Sequence, residues 1–186
     1  MNQDVIVRDF HCEVPLTDFK KYCLNIPQTM EACAACPRYG TVWSCPPFEE
    51  GPEAFWNSFQ TIELFGKKLI LSEALREPVY TMDQLTQESK RIMAPYKDLL
   101  REDLLNREKG YPGSYSLSVG ACEICEECTR KKGDPCLHPE QMRPSVEAIG
   151  GLVTEILKRY FGEELAWGER GHLAPHLFLL TGLLKK

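Results

Sequence analysis

The sequence predicts an α+β fold: a small mixed sheet packed by helices, carrying two cysteine-rich metal-binding loops. Three observations predict it. Apolar runs of strand length lie near both ends of the chain and within residues 61 to 75. An amphipathic helical pattern fills residues 82 to 109, and the cysteines gather in two windows separated by a stretch that contains none. With no internal repeat, low-complexity tract or long linker, the 186 residues are expected to form a single domain. Its parts are an N-terminal cysteine region over 12–47, a scaffold over 52–119 and 144–186, and a second cysteine loop over 120–138.

Taken in order, Val5 to Val7 suit a short first strand, and Pro52 at an N1 position opens a short helix through Phe55, Trp56 and Phe59. In TIELFGKKLILSEAL, Leu69, Ile70 and Leu71 form a run suited to a buried strand, with Gly66 and Lys67 marking a hairpin. From Met82 to Lys109 the apolar positions Leu85, Ile92, Met93, Tyr96, Leu100 and Leu104 recur at threes and fours. Thr81 with Gln84 fits a capping box, and Pro95 should kink or divide the helix. After the turn at Pro112 and Gly113, SYSLSV alternates as a strand does and leads straight into the second cysteine window. Pro144 then begins a helix that Gly150 and Gly151 weaken, and which continues through Val153, Ile156, Leu157, Tyr160 and Phe161 to Gly162. HLFLLTGLL closes the chain as a strand.

Charge excludes some partners. A net charge of −5 without a long basic run argues against nucleic acid and anionic membranes, which need clustered Lys and Arg. Proteins or small molecules remain as partners. The start MNQDVIVRDFHCEV lacks a basic segment followed by an apolar run, and nothing approaches the roughly 18 apolar residues that span a bilayer, so a cytoplasmic location is expected. There the nine cysteines are metal ligands or catalytic groups rather than disulfides.

Cys122, Cys125 and Cys128 give C-x2-C-x2-C, a spacing with which one tight loop wraps three corners of an iron–sulfur cubane. Tetrahedral zinc more usually draws two pairs of ligands from separate knuckles, so the spacing favours a [4Fe–4S] cluster over zinc. Cys136 closes the local site or serves the other one; we assign it locally, because Gly133 and Pro135 can turn TRKKGDP back. The first group, Cys23, Cys33, Cys36 and Cys45, reads C-x9-C-x2-C-x8-C and predicts a second cluster, with Zn2+ the alternative at either site. Cys36-Pro37 and Cys45-Pro46-Pro47 resemble the cysteine–proline turns of ferredoxins.

Other candidates have plainer readings. Cys12 reads as a small buried hydrophobe, or as a substitute for Cys23. His11, His138, His172 and His176 read as structural or surface groups, since eight cysteines already fill two four-ligand sites. Trp43, Trp56 and Trp167 read as core aromatics, with Tyr39 and Trp43 placed to shield a cluster from water. Glu123, Glu126 and Glu127, followed by Arg130, Lys131 and Lys132, form a solvated charged loop or a docking patch for a redox protein. There is no radical S-adenosylmethionine motif, P-loop, G-x-G-x-x-G, G-x-S-x-G or H-E-x-x-H, so no catalytic constellation emerges apart from the metal sites.

Taken together, ACPRYGTVWSCPP and SVGACEICEECTRKKGDPCLHPEQMRPSVEAIG resemble the predicted metal-binding family named domain of unknown function 2284. The likeness covers most of the chain, including the R-P-S-x-E-A segment at Arg143 to Ala148. It implies a metal-binding protein of iron–sulfur type and supports Cys33, Cys36, Cys45, Cys122, Cys125, Cys128 and Cys136 as ligands. Cys23 rests on ligand arithmetic instead. The expectation is therefore a protein with two [4Fe–4S] clusters transferring electrons at low potential, on the order of −400 mV, to a redox protein partner, as an accessory to an anaerobic oxidoreductase. Two alternatives stand beside it: a binding module stabilised by zinc or an inert cluster, and an enzyme with an open metal site.

Overall fold

A computed structural model describes residues 4–186. Four strands, β1 (Val5–Pro15), β2 (Thr61–Leu71), β3 (Tyr115–Leu117) and β4 (His176–Lys185), form one sheet in the order β1-β2-β4-β3. The fold class is α+β as the patterning predicts, and the sheet is antiparallel throughout rather than mixed. The helices are α1 (Leu16–Cys23), α2 (Ile26–Ala34), α3 (Glu73–Arg76), α4 (Met82–Gly110) and α5 (Val153–Ile156). No helix among the described residues is long and apolar enough to cross a membrane.

The two central strands are covered on both faces, which is why they read as near-continuous apolar runs. On one face Ile62, Leu64, Leu180 and Leu184 pack with Phe19, Cys23, Trp56, Ile149, Ile156 and Leu157. On the other, Leu69, Leu71 and Leu179 pack with Ile92 and Leu100 of α4. The α4 helix starts with the expected capping box between Thr81 and Gln84, and Pro95 lies inside it without dividing it.

Several elements differ from the sequence reading. The first strand runs on to Pro15, because its whole length pairs with β2. Pro52–Trp56 is a single 3-10 turn rather than a helix reaching Phe59. The segment expected to begin at Pro144 forms a 3-10 turn at Glu147–Ile149, breaks at Gly150 and Gly151, and resumes as α5 and a π-helical stretch, Leu157–Phe161. Trp167 is exposed, not in the core.

The largest correction concerns Gly66, which marks no hairpin. β2 passes straight through it, with Gly66 opposite Phe10. A Cβ at this position would lie 2.7 Å from the Phe161 ring and 2.8 Å from that of Phe178. Both rings also pack on Phe10, at centroid distances of 5.3 and 5.6 Å. The glycine makes room for three aromatic rings rather than for a turn. Gly66→Val should therefore destabilise the fold by about 1–3 kcal/mol through overpacking, read as a lower urea midpoint; an unchanged midpoint would contradict this account of the strand.

Candidate metal centre

The first cysteine loop grows out of α2. Asn25 caps that helix, its side chain accepting from the Gln28 amide at 3.2 Å, and Pro27 suits the first turn. Cys33 lies in the last turn. The chain then folds through short backbone bonds, Cys36 N–H to Cys33 O at 2.9 Å and Cys45 N–H to Val42 O at 3.0 Å, and is closed by Gly40 N–H to Pro46 O at 2.8 Å. Pro46–Pro47 is cis. The Arg38 amide points at the Cys36 sulfur, 3.5 Å away. Burial pushes the Cys33 thiol up, and the neighbouring Cys45 and Cys36 add to this. Burial likewise raises Cys45, although the Ser44 hydroxyl and the Arg38 and Arg130 cations oppose it.

Cys23 stands elsewhere. It ends α1, fully buried in the core beneath the sheet, where Tyr160, Arg159 and Glu155 are its polar neighbours. The structure thus brings Cys33, Cys36 and Cys45 together and leaves the fourth sequence-assigned member of the set apart. Cys12, on β1 opposite Leu64, packs against the same core as a small apolar side chain.

The second loop follows β3. Cys122, Cys125, Cys128 and Cys136 line one small cavity together with Val42, Trp43, Ile124, Leu137, His138 and Met142. After Cys128 a 3-10 turn, Thr129–Lys132, ends at Gly133 with φ 76°, and Thr129 Oγ1 donates to Pro135 O at 2.8 Å. These turns return Cys136 to its own loop, as Gly133 and Pro135 suggest. Burial raises the Cys122 thiol, and Cys136, Cys125 and Cys128 reinforce this against the opposing Ile124 amide.

The two loops are fastened to each other. Arg130, from the second, donates to the carbonyls of Val42 (2.9 Å), Cys45 (2.6 Å) and Pro47 (2.5 Å), and lies over the Trp43 ring. The Trp43 indole N–H reaches Asp134 O at 3.1 Å. Ser44, fully buried beside Cys45, accepts from the Cys122 amide at 2.8 Å. Cysteine spacing gave no sign of this interlock, and Trp43, expected near a cysteine site, lines the cavity of the second.

Arg143 to Ala148, conspicuous in the sequence but without a role there, ties both loops to the scaffold. Arg143 pairs with Glu108 of α4 at 2.6 Å, and the same carboxylate accepts from the amide and hydroxyl of Ser116 on β3. Ser118 Oγ holds the Arg143 carbonyl at 2.9 Å, and Ser118 bridges to Ser145. Further on, Glu147 lies on the turn that packs against α2, and its carboxyl acts on Cys33. Burial drives that carboxyl above the ordinary range, only partly opposed by its own amide and the Ser145 hydroxyl.

Of the histidines, His11 pairs with Glu63 at 2.6 Å, His172 and His176 meet backbone carbonyls, and His138 borders the second cysteine site. A further cavity of about 190 Å³ lies between α4, β3 and the second loop, bordered by Lys97, Arg101, Arg143, Ser116, Thr181 and Cys122. Thr181 is buried there with no partner for its hydroxyl.

Partly buried thiols whose thiolate forms repel one another, beside amide donors and arginines, are a donor set suited to thiolate-bound metal, since a cation replaces the protons that this setting retains. Among the described residues, no three His, Cys, Asp or Glu side chains stand at the spacing of ligands on one ion. Tetrahedral zinc with Zn–S of about 2.3 Å would draw its sulfurs to about 3.8 Å from one another.

Compared with known proteins, residues 25–181 match the family model described as predicted metal-binding protein (DUF2284). No curated protein and no solved structure matches the chain.

The Glu108–Arg143 pair has a pH signature. Burial alone would raise Glu108, but Arg143 and Ser116 together outweigh it and hold the carboxyl below its ordinary value. The pair therefore contributes fully above the ordinary carboxylate range and is lost as pH falls through the folded-state value. Glu108→Gln should cost about 1–3 kcal/mol at neutral pH and flatten the loss of stability toward about pH 4, measured as urea midpoints across pH. Equal acid sensitivity in both proteins would contradict this.

Proposed function

The chain belongs to that family of predicted metal-binding proteins, and from this premise we propose that it is an electron-transfer protein with two adjacent [4Fe–4S] centres. One is held by Cys33, Cys36 and Cys45, the other by Cys122, Cys125, Cys128 and Cys136. The observation that carries this reading is the interlock, in which one buried hydroxyl, Ser44, lies beside the Cys45 thiol and bonds the Cys122 amide at 2.8 Å. When bound, each cluster supplies one-electron chemistry at a low potential, on the order of −400 mV.

The protein's own residues do the rest. Trp43, Leu137 and Met142 line the second site with apolar surface and limit water. The Arg38 amide donates toward the Cys36 sulfur, which stabilises thiolate charge. Lys131 and Lys132, exposed next to Glu127, and the exposed Leu137 offer charged and apolar groups to a redox protein such as an anaerobic oxidoreductase. In a cytoplasmic setting the nine thiols stay reduced and available for metal.

A second reading, an enzyme with an open metal site, draws support from the cavity beside Cys122 and its unpartnered Thr181 hydroxyl. Cys136→Ala separates the two. A four-cysteine electron-transfer site should lose its cluster or hold it labile, whereas an open site should keep a three-cysteine cluster unchanged.

Protein isolated without oxygen should carry about eight irons with matching sulfide and a broad visible absorption that dithionite bleaches. Stoichiometric zinc without sulfide would refute the electron-transfer reading.

A further inference from the structure

The first centre lacks a fourth ligand. Three thiols converge on it, and the cysteine that spacing nominates, Cys23, is sealed in the core among Tyr160, Arg159 and Glu155. Cys12, the other spare thiol, is fixed on β1 by its pairing with β2. Cys45 and Cys36 both push the Cys33 thiol up, and so does the carboxyl of Glu147, which the Glu147–Ile149 turn carries against α2.

Glu147 itself is an anomaly. Its Oε2 is shut off from solvent and has no hydrogen-bond partner. The groups acting on the carboxyl are its own amide and the Ser145 hydroxyl, neither of them cationic. A buried carboxyl oxygen without a partner costs free energy, and natural proteins keep such groups where something else completes them.

The turn that presents Glu147 is pinned on several sides. Asn25 N–H donates to Gly150 O at 2.9 Å, Leu24 bridges to Gly151, and the Trp56 indole donates to Ile149 O at 2.7 Å. Gly150 sits at φ 108°, where a Cβ would lie 2.4 Å from Ile26 Cγ1, so a glycine is what lets this turn close against α2. Cys33 is in the last turn of that same helix. Such fixed backbone holds a ligand without the flexibility of a loop.

We propose that Glu147 is the fourth protein ligand of the first centre, its Oε2 completing the set of Cys33, Cys36 and Cys45. The inference rests on the reading that this loop holds a metal centre. On binding, a lone pair of Oε2 takes a metal coordination position; no electron is transferred. A hard oxygen among soft thiolates makes that corner the most exchangeable of the four.

The test compares full-length wild type, Cys23→Ser, Glu147→Ala and Glu147→Cys, each isolated without oxygen and assayed for metal and sulfide and by electron paramagnetic resonance. Cys23→Ser should retain wild-type iron. Glu147→Ala should lose at least about one iron per chain, with a three-iron signal after mild oxidation, and Glu147→Cys should restore the iron. Metal-free Glu147→Ala should melt no lower than metal-free wild type, because it removes a carboxyl whose enclosed Oε2 has no partner; a lower melting temperature would mark the carboxyl as structural and overturn the assignment. So would wild-type iron and spectra in Glu147→Ala, or loss of iron from Cys23→Ser alone. Uptake of zinc in place of iron by wild type would refute the cluster reading, while the same comparison, read as zinc per chain, would still decide for or against Glu147.

Discussion

Arg130 reaches from the second cysteine loop to three carbonyls of the first, and the geometry of both sites depends on that contact. A loop that must turn its thiols inward can pair few of its own carbonyls, and unpaired buried carbonyls are costly. One guanidinium, with five donors in a rigid fork, satisfies several at once and leaves no acceptor unmet. Its stacking on Trp43 and the Ser44 bond to Cys122 complete a joint between the two loops. Two sites far apart in sequence are thereby neighbours in space.

The scaffold serves this joint. β2 and β4 are central and covered on both faces, and the short β3 edge sets the origin of the second loop. The Arg143–Glu108 clamp fixes where that loop ends, against α4. Four residues on, the same segment delivers Glu147 to α2. The Arg143 to Ala148 segment is thus a strut between the second loop and α2.

Much of this was legible in the sequence, for physical reasons that differ by element. The α4 helix was plain because its cap and period are local properties, and C-x2-C-x2-C was plain because one short loop contains the geometry. Gly66 misled because a glycine that admits rings from distant segments has the same local signature as one that makes a turn. Cys23 misled because counting ligands assumes that the nearest cysteine in sequence is near in space, whereas α1 turns it into the core. Nothing local distinguishes Glu147 from a surface glutamate; its setting is made by the packing of Gly150 beneath Ile26. The interlock of Arg130 and Ser44 is likewise a product of tertiary structure, joining residues more than seventy positions apart.

Adjacency of two redox centres is the central claim, and it has a direct spectroscopic measure. Electron paramagnetic resonance of the fully reduced, anaerobically prepared protein should show two paramagnetic clusters with a spectrum broadened and split by their magnetic interaction, collapsing to a simple signal when only one is reduced. Two independent, unsplit signals at full reduction, or a single cluster whose loss leaves the other loop's metal untouched, would contradict the account.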